Sequence, residues 1–324
     1  MSELSGNKIS KIRKIWVLGE ALMDCVAQPD GSLRPFMGGS PFNMARAAAL
    51  RGARVGFINP FSSDRFGDQM RAQFVADGVQ MLSPTSRLPT SLAVVQIANG
   101  QPSYGFYREG IADRDYTPDH VLALLKTQQP GVLHTGSLLL VPPEHEKVLV
   151  VLKAAKALGW IISVDVNLRP KLAADLKAYV AAVLQVAALA DWIKASDEDL
   201  ELLGLWTPGN TPDFQSKIAT TPDRQAQAAS FFIAKGASRV ALTFGADGAW
   251  LQVDGQTAQQ AVPKVAVVDT VGAGDTFWGN CLGDWVLQAD QPASRVAKTL
   301  RDAMQAAAIN CSRAGCQPPR FDEL

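Results

Sequence analysis

The sequence predicts an α/β fold: a central, mainly parallel sheet with helices on both faces and a small β lid. Three observations carry that expectation. Short apolar runs of strand length alternate with longer segments whose apolar residues recur at helical spacing, from Ile15 almost to the C-terminus. Two extended runs, Thr90 to Ala98 and Ser103 to Arg108, flank Asn99-Gly100, a strong hairpin signal that interrupts the alternation and so stands off the main sheet. The stretch Val268 to Asn280, V-D-T-V-G-A-G-D-T-F-W-G-N, carries the chain through a small-residue turn into a helix with Phe277, Cys281 and Trp285 on one face. The β-branched run before it, Ala261 to Val268, reads as a buried strand.

Taken in order, Ile15 to Leu18 is a strand ending in Gly19-Glu20, with Asp24 just beyond. Ligands of open parallel sheets bind past the carboxyl ends of the strands, which places Asp24 to accept hydrogen bonds from hydroxyl groups. Gly38-Gly39-Ser40-Pro41-Phe42-Asn43 opens an alanine-rich helix, with Ser40 as the N-cap, Pro41 at the first helical position and Gly52 past the end. The glycine pair lets the backbone approach a ligand, and Asn43 offers a donor and an acceptor. Arg54 to Ile58 is a strand. The next helix sets Phe66, Met70 and Phe74 on one face and stops at Gly78, with Gly67 and Asp68 read as structural.

After the hairpin, a helix from Pro118 to Lys126, a strand at Gly131 to His134, a helix from Pro142 to Leu158 and a strand at Trp160 to Asp165 follow. His134 is read as a core residue or as backing for the site. In D-V-N-L-R-P, Asn167 and Arg169 lie at a strand end, and arginine suits bidentate contact with phosphate. Asp191 to Lys194 is a strand that leads to Ser196 as a helix N-cap, with acids in the first turn. Residues 205–222, rich in Pro, Gly, Thr and Asn, read as an exposed excursion, because the β-α pattern resumes beyond them. Arg239 to Thr243 is a strand ending in Thr243-Phe244-Gly245-Ala246-Asp247-Gly248, and a long helix from about Ala293 to Arg313 ends at Gly315.

With 324 residues, 47% apolar and 19% charged, the chain has the bulk of a single enzyme-sized domain, 1–324. Lysine plus arginine and aspartate plus glutamate balance at 31 each, which gives no ground for nucleic-acid or membrane-surface binding. The four cysteines form no C-x-x-C pair and the three histidines are scattered, so a protein-held transition metal is not expected. No apolar stretch reaches membrane-spanning length, and the basic N-terminal segment lacks a signal-peptide core, so the cytoplasm is the expected location.

The turn Gly272-Ala273-Gly274 leaves the first N–H groups of its helix without intrahelical partners and so makes an anion site. Asp275 stands at that helix start, where the dipole favours a carboxylate. A carboxylate beside an anion site suits a base that takes a proton from an alcohol while amides hold a migrating phosphoryl group; plain helix capping is the alternative. The string D-T-x-G-A-G-D-T-F resembles the C-terminal signature of the PfkB (ribokinase-like) sugar kinases, and G-G-x-x-x-N before an alanine-rich helix resembles their N-terminal signature. The resemblance runs from Ile15 to Gly315.

It implies a ribokinase-like fold whose lid comes from segments at about 22–37 and 88–113. It implies Asp275 as catalytic base, the amides of Gly272, Ala273 and Gly274 as anion hole, and Asp24, Gly38, Gly39 and Asn43 as sugar ligands. Phe106 to Asp113 resembles the F-Y-R-x-G-x-A-D stretch of fructokinases, which adds Tyr107 and Arg108 and makes D-fructose the expected substrate. By the same likeness, Asn167 and Arg169 meet the ATP phosphates, Thr243, Gly245 and Gly248 form a nucleotide loop, and Asn310 lies in the helix that walls the adenine. Ser196 takes the place of Asn in the family's N-x-x-E, with Asp199 in place of the Glu; the departure weakens that correspondence. Expected cofactors are ATP and Mg2+, with K+ as a monovalent cation near the carbonyls of Asp269 and Val271, and two copies pairing through the lid. The alternatives are a PfkB kinase for ribose, 2-keto-3-deoxygluconate or adenosine, a nucleotide-binding oxidoreductase, which the lack of G-x-G-x-x-G disfavours, and a non-catalytic sugar sensor, which the intact Asp275 turn disfavours.

Overall fold

A computed structural model describes residues 14–98, 101–205, 222–288 and 293–324. Seven strands run parallel in the order β5 (Val79–Met81), β4 (Arg54–Phe57), β1 (Lys14–Val17), β8 (Val132–Gly136), β9 (Ile161–Asp165), β10 (Trp192–Ser196) and β11 (Arg239–Thr243). Two antiparallel strands, β12 (Ala249–Val253) and β13 (Gln256–Gln260), extend this sheet to nine.

Because side chains alternate across a strand, consecutive residues feed opposite layers. Ile15 and Val17 pack with helices α1 (Ser40–Leu50), α2 (Arg65–Asp77), α8 (Ala273–Leu287) and α9 (Val296–Cys311). Trp16, Leu133, Ile162, Val164, Ile193 and Ala195 pack on the other face with α3 (Pro118–Lys126), α4 (His145–Ala157), α5 (Leu176–Ala187) and α7 (Pro222–Ala234). A short helix, α6 (Asp197–Leu202), follows β10. Near-continuous apolar strands, the mark of a sheet covered on both sides, are thus explained by the two layers.

A second sheet has four strands in the order β3 (Leu33–Gly38), β2 (Leu22–Ala27), β6 (Ser91–Ala98) and β7 (Gln101–Tyr107). It occupies the two segments expected to stand off the main sheet; the Asn99-Gly100 turn itself lies outside the described residues, as does most of the 205–222 excursion. Gly67 is structural as expected: a Cβ there would lie 2.0 Å from the Ser62 carbonyl oxygen. Among the described residues no helix is long and apolar enough to cross a membrane.

Two expectations are corrected. Ala261 to Val268 is not a buried strand: it belongs to no sheet, and Val267 and Val268 are each 64% exposed. The chain leaves the sheet after β13 and docks instead on the end of α9, where Val268 N–H and Asp269 N–H donate to the Cys311 carbonyl at 2.8 and 3.1 Å. Ser40 is not the N-cap of α1. Gly39, at φ 103°, holds that position, and Ser40 is inside the helix with its hydroxyl used elsewhere.

Candidate active site

Helix α8 is buried all round from Thr276 to Val286, while its first turn is partly open and its last residue, Leu287, is exposed. The approach is made by Gly272 at the N-cap, with φ 74°, a left-handed conformation that glycine adopts without penalty. A Cβ at this position would lie 2.2 Å from the Cys316 Sγ. Ala273 N–H donates to the Thr270 carbonyl at 3.2 Å and Thr276 N–H to that of Gly272 at 2.8 Å. That leaves the N–H groups of Gly274 and Asp275 without an acceptor among the described residues.

Close packing of α1 on α8 brings the next group in. Gly279 has no side chain where the Met44 carbonyl and Ala47 Cβ press against it, 2.6 and 2.7 Å from a virtual Cβ, and Gly283 faces Arg51 in the same way. Small residues on one helix and alanines on the other set the start of α1 beside the start of α8. Ser40 Oγ then donates to Asp275 Oδ1 at 2.7 Å, and Asn43 Nδ2 to Asp275 Oδ2 at 2.9 Å.

Asp24, on β2, completes the group of acids. Its carboxylate lies against Gly38, 2.1 Å from the place a Cβ would take, and Gly39 leaves room for the Glu20 carbonyl. The glycine pair thus admits parts of the protein itself. Burial pushes the Asp24 pKa up to about 6; the Arg169 charge opposes this, and Asp275 and Asp269 add to it. Glu20, fully buried below Ser40 and accepting the Ser40 N–H at 3.2 Å, is pushed up to about 7 chiefly by desolvation.

Under α8, polar residues occupy the carboxyl ends of three strands on the face that the helix covers. Lys194 on β10 donates from Nζ to both oxygens of Asp165 on β9, at 2.9 and 3.0 Å, and both side chains are buried. Ser163 Oγ accepts from Trp278 Nε1 at 3.2 Å and contacts His134 Nδ1 at 3.0 Å. His134 is wholly buried, as expected of a core position, and desolvation, helped by the Lys194 charge, drives its pKa down to about 3. An imidazole that is neutral in the fold but protonated in the unfolded chain costs stability as the pH falls from about 6.5 toward 3, at about 1.4 kcal/mol per unit. Urea unfolding at pH 7 and pH 5 is therefore expected to show wild type losing about 2 kcal/mol more than His134→Gln; equal losses would contradict the buried neutral imidazole.

The other expected site residues are placed as follows. Arg169 Nη1 donates to Asn167 Oδ1 at 2.7 Å and to the Leu168 carbonyl at 3.0 Å, so the loop folds on itself, with Asn167 at φ 39°. Ser196 caps α6 in a reciprocal capping box with Asp199, whose second oxygen accepts the Leu168 N–H at 2.7 Å. Thr243, Gly245 and Gly248 form the turn between β11 and antiparallel β12, closed by Phe244 N–H on the Gly248 carbonyl at 2.9 Å. Asn310 is buried beneath the glycine turn, donating to the Val271 carbonyl at 2.8 Å and accepting the Gln317 N–H at 2.8 Å. The Asp269 carboxylate accepts from Val271 N–H and Gly315 N–H at 2.9 and 2.8 Å. Tyr107 is 64% exposed, and Arg108 is paired with buried Asp113 at 3.0 Å and donates to Ser91 Oγ. Of the expected residues, then, Asp275, its glycine turn, Asn43, Gly38, Gly39 and Asp24 converge, with the Arg169 charge acting on Asp24. Lys194 and Asp165 join this centre although the sequence assigns them no site role, and Ser40 joins it although the sequence reads it only as a helix cap.

A mainly parallel sheet covered on both faces by helices is the ribokinase-like fold. The chain belongs to the pfkB family of carbohydrate kinases, whose model matches residues 12–323. It is 32% identical over 294 residues to a fructokinase of Rhizobium leguminosarum bv. trifolii, covering 88% of this chain and 84% of the relative. It is 26% identical to a 5-dehydro-2-deoxygluconokinase of Photobacterium profundum, covering 93% and 89%. A crystal structure of a Xylella fastidiosa fructokinase with bound ATP superposes with a TM-score of 0.75 at 26% identity, covering 96% of this chain and 95% of that one.

Proposed function

We propose that this carbohydrate kinase transfers the γ-phosphoryl group of MgATP to a primary hydroxyl of D-fructose, giving D-fructose 6-phosphate and ADP. The observation that carries the reading is the Asp275 carboxylate, fixed by Ser40 and Asn43 at the mouth of a glycine-built turn with Asp24 near enough to be repelled by it. In the step, Asp275 takes the hydroxyl proton, the sugar oxygen bonds to the γ-phosphorus, and the bond from phosphorus to the bridging oxygen of the departing ADP breaks. The free N–H groups of Gly274 and Asp275 stabilise charge on the phosphoryl oxygens, whereas the Ala273 N–H expected in the anion hole is held by the Thr270 carbonyl. Asp24 and Asn43 hold sugar hydroxyls, and Arg169, whose charge already acts on Asp24, closes the same side of the cleft.

Mg2+ fits this site as a passenger on the triphosphate. Among the described residues no group of three His, Cys, Asp or Glu side chains is placed to hold a metal, and both Asp199 oxygens are taken by N–H groups. A monovalent cation near Val271 would share that carbonyl with Asn310. We take the four-stranded sheet as the lid over the sugar, with its outer strands β3 and β7 as the edges through which two copies would pair.

The fructose assignment rests on the fructokinase likeness and on the Phe106 to Asp113 stretch. A specificity profile tests it: kcat/KM is expected to be highest for fructose among fructose, ribose, 2-keto-3-deoxygluconate, 5-dehydro-2-deoxygluconate and adenosine. Preference for another of these would keep the kinase and replace its sugar.

A further inference from the structure

We propose that Lys194 is the fixed positive charge of the phosphoryl pocket, a positioning residue that acts on the transferring group through Gly274 and Asp275, with Asp165 as the counter-ion that holds it there. The inference rests on the proposed reaction and adds to it a residue with no expected part in that reaction. Lys194 Nζ lies 3.3 Å from the place a Gly274 Cβ would take, so the absence of a side chain at Gly274 is what lets the ammonium reach the first turn of α8. Strand parity puts it there: Ile193 and Ala195 pack into the opposite layer, so Lys194 projects toward α8, as Asp165 does from β9.

The titratable groups that face it are Asp165 on β9, Asp199 on α6, Asp275 and Cys281 on α8 and neutral His134 on β8. Burial works against the lysine's charge, but Asp165, Asp199 and Asp275 together outweigh it and raise the Lys194 pKa above the ordinary value. A buried ion pair is weak support for stability in its own right, since apolar replacements of similar volume are often neutral or better. Placed under the N-terminus of the helix whose free N–H groups form the anion turn, the same charge lies where negative charge gathers on the phosphoryl oxygens, away from competing water.

The test uses K194M, D165N/K194M and D275N in the full chain, each assayed for kcat, sugar KM and urea stability. K194M alone leaves Asp165 buried without a partner and is expected to lose stability, which the double variant largely restores. Turnover does not follow stability: both variants are expected to show kcat about 100-fold below wild type. Sugar KM should stay within about threefold, so that the loss falls on kcat and not on binding. A double variant with kcat within about threefold of wild type would reduce the pair to a structural strut and overturn the inference. D275N separates the two readings: if it is inactive while the double variant turns over normally, only the Lys194 role fails, whereas normal turnover in D275N removes the base assignment itself.

Discussion

Replacing Asp275 with asparagine is expected to lower kcat by roughly three orders of magnitude while sugar affinity changes little, in line with the loss of a positioned general base. The carboxylate accepts from Ser40 Oγ on one oxygen and from Asn43 Nδ2 on the other. The amide can keep both contacts, its oxygen accepting from Asn43 Nδ2 and its NH2 donating to Ser40 Oγ, so the variant removes the base while leaving the geometry in place. The sugar ligands Asp24 and Asn43 remain, which is why binding should survive. Steady-state kinetics paired with calorimetric titration of sugar measures both quantities. A variant that turns over normally would show that the proton leaves by another route.

Gly272→Ala is expected to have the next largest effect, through geometry alone. The position has φ 74°, where an alanine is strained by about 1–2 kcal/mol. The added methyl would also stand 2.2 Å from Cys316 Sγ and 2.7 Å from its Cβ, so the turn, the buried thiol or both must move. Because a shift of about 1 Å at a reacting centre can cost 10²-fold, kcat is expected to fall about 100-fold. Gly272→Ala/Cys316→Gly removes the collision but keeps the strained backbone, and should recover part of the loss. Wild-type turnover in the single variant would mean that the turn is not held where the anion site needs it.

The fold was legible because apolar runs of strand length, capped by Gly, Pro and Ser, recur with little interruption; the strand Arg239–Thr243 and the helix Pro118–Lys126 have the expected bounds. The miss at Ala261 to Val268 shows that β-branched residues also suit extended chain with no sheet neighbour, and Pro263 in that run offers no ladder donor. The antiparallel pair Ala249–Val253 and Gln256–Gln260 went unread although Asp254-Gly255, both at positive φ, is a hairpin turn plainly written. Within the site, motif residues such as Asp275 and Asn43 could be found because glycines and caps mark them. Ser40 reads as a cap because local sequence does not say that a second helix start lies across from it.

Lys194 and Asp165 carried a signal that was passed over. In W-I-K-A-S and I-I-S-V-D, a charged residue falls on an alternate position of an otherwise apolar strand, and two such strands side by side imply a buried pair. Their distance from the catalytic turn, by contrast, depends on how α8 crosses the sheet, a long-range packing outcome set by contacts such as Gly279 against Met44 and Ala47. No local pattern encodes it.

One carboxylate, that of Asp275, is expected to reach both an acceptor hydroxyl and the terminal phosphate. A crystal structure with fructose and a non-hydrolysable ATP analogue tests it most directly. The account predicts the primary hydroxyl oxygen about 3 Å from an Asp275 carboxylate oxygen and in line with the γ-phosphorus, which lies over the Gly272–Gly274 turn. A hydroxyl held instead by Asp24 or Glu20, with Asp275 turned away from both substrates, would contradict it.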